Sequence, residues 1–166
     1  MESLQEMKLT IAERTPEAVL DFWLGSMRGI EDTAEENWRE RMLLWRVGVF
    51  ARGSENQDFL AAQQVWCDQL HEEGPDAFFQ PSELWDTPLG WLAKIIVLDQ
   101  FGRSVYRGTP VAYANDELTG PMLRHVVAQK WDVEVYNEVE RMWIYVALSH
   151  PEANDLQEMS LSLIHI

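Results

Sequence analysis

The chain has 166 residues, of which 28 are acidic and 13 are Lys or Arg, for a formal net charge of −15 at pH 7. Protein surfaces that bind phosphate backbones gain affinity by releasing counterions with Lys and Arg, and an anionic membrane face attracts basic segments, so this charge argues against nucleic-acid and membrane partners. The length fits one domain of about 100–200 residues, and 46% hydrophobic residues is an ordinary globular share, which excludes disorder as the default.

Residues 1–14 are mixed and charged and lack the apolar core of a signal peptide. No later run approaches the ~20 apolar residues of a membrane span, so a soluble cytoplasmic chain is expected. The first helix is predicted at Thr15-Pro16-Glu17, a capping residue followed by proline at the first helical position and an acid near the dipole. Val19, Leu20, Trp23, Leu24 and Met27 follow at helical spacing. Thr33 with Glu36 reads as a capping box, and Trp38, Met42, Trp45 and Val49 draw one stripe behind it. Ser54 with Gln57 repeats that box ahead of Phe59, Ala62, Trp66 and Leu70, and Gly74-Pro75 ends the helix.

Residues 75–86 read as a loop whose Phe78, Phe79 and Trp85 pack inward. Thr87-Pro88 opens a helix with Trp91, Leu92, Ile95, Ile96 and Leu98. Asn115-Asp116 is expected to cap a further helix, with Pro121 in an early turn where it is tolerated. Val135, Val139, Met142, Trp143 and Val146 form the last stripe, which ends at His150-Pro151. No segment alternates at period two, so the fold class is all-α, with six to seven antiparallel helices joined by short loops. The eight Trp residues fall mostly on these stripes and are assigned to the core.

The sequence has no GxGxxG, P-loop, HExxH or GxSxG motif, and no cofactor or metal is expected. Cys67, the sole cysteine, excludes an intramolecular disulfide. It lies four residues before His71, but a pair does not close a tetrahedral metal site, and a buried thiol beside a surface imidazole is the simpler reading.

One segment stands apart: Leu98-Asp99-Gln100-Phe101-Gly102-Arg103-Ser104-Val105-Tyr106-Arg107-Gly108-Thr109. Asp99 and Arg103 share a helix face as an ion pair, and Arg107 repeats the spacing. Gly102 and Gly108 are expected to loosen the backbone so that Tyr106 and Arg107 turn toward a cleft. A guanidinium oriented by a carboxylate suits an anionic group through bidentate hydrogen bonds. On spacing alone, the favoured reading is that the same three charges staple a helix end to its neighbour.

This segment resembles the signature of domain-of-unknown-function family 924, helical proteins with a TPR-like arrangement. Leu98, Asp99, Gln100, Phe101, Arg103, Tyr106, Arg107, Gly108 and Thr109 match, and Ala112, Ala114 and Asp116 continue the match. Upstream, Val19-Leu20-Asp21-Phe22-Trp23-Leu24-Gly25 is similar to the family's opening helix. Downstream, Glu140-Arg141, Tyr145, His150, Glu152 and Gln157 resemble a later stretch. Gly102 and Ser104 stand where proline and asparagine are usual, residues 146–149 replace a leucine-proline-rich turn, and Pro151 stands where serine is usual. The resemblance, over residues 19–157, implies a TPR-like helical array with a concave binding surface and implies no reaction.

The expected function is a binding or interaction domain whose recognition surface includes Asp99, Gln100, Arg103, Tyr106, Arg107 and His150. Its partner would be a protein, a peptide or a small anionic ligand. The alternative is a small-molecule enzyme in which His150 is the acid or base and Arg103 and Arg107 hold an anionic substrate. A closed pocket holding His150 and both arginines would favour the enzyme. An open groove with these residues paired to each other would favour the binding domain.

Residues 161–166, Leu161-Ser162-Leu163-Ile164-His165-Ile166, read as the translation of a transposon-end adapter used in sequencing-library preparation. The expectation is one helical domain over residues 1–160 and a non-native tail over 161–166, with further helical sequence of the family cut off. The competing reading is a short apolar tail docked on the core.

Overall fold

A computed structural model describes residues 13–28, 45 and 57–164. The capping pair Thr33–Glu36, the stripe residues Trp38, Met42 and Val49, and Ser54 lie outside the described residues. Among the described residues the chain is all-helical and has no strand. Among the described residues, six helices of eight or more residues carry the architecture: α1 (Pro16–Leu24), α2 (Gln57–Glu73), α5 (Pro88–Ile95), α7 (Asp116–Ala128), α9 (Glu138–Leu148) and α10 (Asn154–Ile164). One-turn helices join them: α3 (Pro75–Phe78), α4 (Ser82–Trp85), α6 (Gly102–Val105) and α8 (Trp131–Glu134).

The starts follow the expected chemistry. The Thr15 hydroxyl accepts from the Ala18 N–H and the Thr87 hydroxyl from the Gly90 N–H, each with proline at the next position. Asn137 and Glu140 close a reciprocal capping box at the start of α9. That start corrects the last predicted stripe: Val135 precedes the box and is 48% exposed, and Tyr136 is buried in its place. The expected loop at 75–86 is instead α3 and α4, since Pro75 and Ser82 each begin a single turn. Phe78, Phe79 and Trp85 are buried, as the pattern requires.

Aromatic rings make the core. Phe22 stacks on Phe59 at 4.6 Å, Trp23 meets Trp143 edge-on at 5.0 Å, and Phe101 touches Phe22, Trp23 and Trp66. Trp23, Trp45, Trp66, Trp85 and Trp143 are buried, and Trp91 and Trp131 pack half-buried against the same core. Gly90 has a steric role: a Cβ there would collide with the Trp85 carbonyl group, whose carbon would lie at 2.7 Å. α10 runs antiparallel beside α9, continues through Ile164 and packs Leu163 against the core.

Candidate functional site

After α5 the helix widens into a π-helix over Ile96–Phe101, in which every residue is buried. A π-segment adds a residue to the turn and re-aims the side chains behind it, and such segments often lie at functional sites. Here Phe101 points into the aromatic core, while Asp99 and Gln100 point away from it into a polar cluster.

Asp99, only 2% exposed, is the centre of that cluster. Its Oδ1 accepts from Arg103 Nε at 2.8 Å, and its Oδ2 accepts from Gln100 Nε2 at 2.6 Å and from His150 Nδ1 at 2.8 Å. Arg103 also reaches Asp116 Oδ1 from Nη2 at 2.7 Å, which ties α6 to the start of α7. The Tyr113 ring covers the guanidinium at 5.1 Å. His150 sits just past α9, where its N–H returns to the Ala147 carbonyl and Pro151 prevents another turn. A carboxyl group at this depth is tolerated because each of its oxygens has a hydrogen-bond partner.

The structure therefore brings Asp99, Gln100, Arg103 and His150 together and sends the other two expected residues elsewhere. Tyr106 faces α2, where its hydroxyl lies 3.4 Å from Asp68 beside Cys67 and His71. Burial, with the Asp68 carboxylate beside it, raises that phenol's pKa. Arg107 is exposed at the end of the turn. The reason corrects the expectation for the glycines. Gly102 is helical, at φ −57°, and loosens nothing, whereas Gly108, at φ +79°, does turn the chain. Asn115 also departs from its expected role: its Nδ2 donates to the Leu98 carbonyl within the π-segment and leaves α7 without a side-chain cap. Cys67 is buried, and burial pushes its thiol up to about 12.

His150 lines an open groove of ≈ 740 Å³ between α7 and the segment 150–156. Arg103 and Arg107 are not among its lining residues, while Glu117, Pro121, Arg124 and Glu152 are. Arg124 is held by Asp155 through two bonds of 2.6 and 2.9 Å. Glu117 and Glu152 carry no ion pair among the described residues. Pro121 lies in the second turn of α7 rather than the early turn expected, so no N–H is present to take the Glu117 carbonyl. The glutamates and the proline break are contributions that helical periodicity does not mark. Of these, the family resemblance includes Glu152 alone.

No curated protein and no solved structure matches the chain. The family described as "Bacterial protein of unknown function (DUF924)" matches residues 19–165, eight residues beyond Gln157, the end of the sequence resemblance. The match takes in the π-segment with Asp99, the α6 turn with Arg103, and His150 at the groove wall, and the chain belongs to the DUF924 family.

Proposed function

We propose that the chain is a helical recognition domain that takes a small ligand in the groove beside His150. The observation that carries this is the Asp99–His150 contact. A buried carboxylate holds Nδ1 at 2.8 Å, so Nδ1 bears the proton, and in the neutral ring Nε2 is left as the acceptor of a side chain that lines the groove. The open groove and the pairing of Arg103 with two carboxylates support binding over enclosure of an anion.

The groove's remaining groups favour a ligand rich in donors. Glu117 and Glu152 offer carboxylates, the proline break frees a carbonyl, and His150 offers Nε2. The ligand class this supports is a small amine or polyol, in place of the anion that Arg103 and Arg107 would have held. A TPR-like helical array in the cytoplasm is compatible with this role.

The same contact supports a second reading, in which the oriented imidazole exchanges a proton with the bound molecule. One experiment separates them: a panel of small amines, polyols and carboxylates is titrated while the His150 ring resonances are followed by NMR. Binding without turnover, lost in His150→Ala, supports recognition. Conversion of a bound compound, lost in the same variant, supports the second reading. Selective binding of carboxylates that survives His150→Ala would overturn both.

A further inference from the structure

Arg124 is the one Lys or Arg among the residues that line the His150 groove. It lies on α7, one turn past Gly120, and is gripped by Asp155 in the first turn of α10. Asp155 takes Nε at 2.6 Å and Nη2 at 2.9 Å, so one edge of the guanidinium is engaged. Nη1 has no hydrogen-bond partner among the described residues. It lies over Gly120, where the first carbon of a side chain would stand 3.5 Å from it, and Gly120 is itself part of the groove wall. The two N–H donors of Nη1 are therefore left for whatever enters the groove.

As a stabilising device this pair is poor. Its side chains are 43% and 57% exposed, and water competes for the bonds of exposed pairs. Its definite effect is on direction, because a bidentate grip fixes the plane of the guanidinium and so aims Nη1. Gly120 completes the arrangement, since with no side chain there the α7 wall beneath Nη1 stays open. Glu117, from the preceding turn, and Glu152, from the opposite wall, bring carboxylates without ion pairs among the described residues to the same groove.

We propose that Arg124 is the specificity-determining residue of this groove and that the ligand is a zwitterion, a small amino carboxylate. Its carboxylate takes the Nη1 donors, and its ammonium group takes Glu117 or Glu152. Asp155 balances the charge of Arg124, so Nη1 supplies directed hydrogen bonds while the glutamates supply the attraction for the ammonium group. A bare carboxylate would meet the two unpaired glutamates with no charge of its own to offset them. The inference rests on the amine reading of the groove and narrows it.

The test is calorimetric titration of the whole chain with glycine, β-alanine and γ-aminobutyrate. Each is compared with its amide, which keeps the ammonium group and removes the carboxylate, and with the matching fatty acid, which lacks the ammonium group. At least one amino carboxylate should bind about tenfold or more tightly than its amide, and the fatty acids should bind more weakly still. Arg124→Gln should erase that preference, leave the affinity of the amide unchanged and barely move the unfolding midpoint. An amide bound as tightly as its acid, or a preference that survives Arg124→Gln, would overturn this inference and leave the amine reading standing. Binding by neither the amides nor the amino carboxylates would overturn the two together.

Discussion

Two arginines near the same groove hold carboxylates in opposite circumstances. Arg124 grips Asp155 through two short bonds, the better geometry, but the side chains are 43% and 57% exposed. Arg103 makes single bonds to Asp99 and Asp116, and the Asp99 side chain is 1% exposed. In water the first pair exchanges one set of good hydrogen bonds for another, and salt screens what remains. In the second, loss of a partner strands a charge that solvent cannot reach. Burial, more than bond geometry, decides which pair the fold depends on.

The largest test of this contrast is Asp99→Ala. It leaves Arg103 facing only Asp116 and removes the acceptor for Gln100 and His150, so chemical denaturation should show a loss of about 3–5 kcal/mol. Folded protein should leave Cys67 unlabelled by thiol reagents at pH 8, since the thiol is buried and its pKa is pushed up to about 12. Asp99→Ala should therefore also speed Cys67 labelling through opening of the fold. A loss below about 1 kcal/mol would place the cluster with the surface pairs and remove the contrast.

His150→Ala deletes one charge-assisted bond and leaves Asp99 its Arg103 and Gln100 donors, so a loss of about 1.5–3 kcal/mol is expected. Gly102→Ala acts in the opposite direction. The backbone there is helical, and an added Cβ would come no closer than 4.0 Å, to the Ala112 carbonyl, so stability should rise by about 0.5–1 kcal/mol in the same denaturation assay.

Arg124→Ala should move the unfolding midpoint least of all. Its signature is its pH dependence. The hydrogen bond from Arg124 holds the Asp155 carboxyl below its ordinary 3.8, so what the pair contributes is present above that value and lost as acid carries the pH below it. The difference between wild type and Arg124→Ala should be confined to the higher-pH side and should shrink with salt. A midpoint shift as large as that of Asp99→Ala would contradict the ranking.

These regions also differ in how far the sequence disclosed them. Asp99 and Arg103 were legible as a pair because four-residue spacing survives the transition from π-helix to α6. The π-segment itself was not, since a widened turn leaves no mark in the period of Ile96, Val97 and Leu98. His150, 51 residues from Asp99, was reached through family resemblance and not through spacing. Tyr106 was misplaced because Gly102 was read as a flexible point, when its φ of −57° keeps the helix running. The two turns at Pro75–Phe78 and Ser82–Trp85 escaped because one turn has no periodicity to detect, although the inward direction of their aromatics was plain. Trp23, Trp66 and Trp143 were legible as core because large apolar side chains at helical spacing have few other uses.

The central claim is that Asp99 fixes the His150 ring with Nδ1 protonated and Nε2 available at the groove. Long-range proton–nitrogen NMR correlations of that imidazole, recorded where the ring is neutral, report its tautomer directly. The account predicts the Nδ1–H form in the wild-type protein and a shift toward the Nε2–H form in Asp99→Asn. An Nε2–H ring in the wild type, or a mixture unchanged by Asp99→Asn, would contradict it.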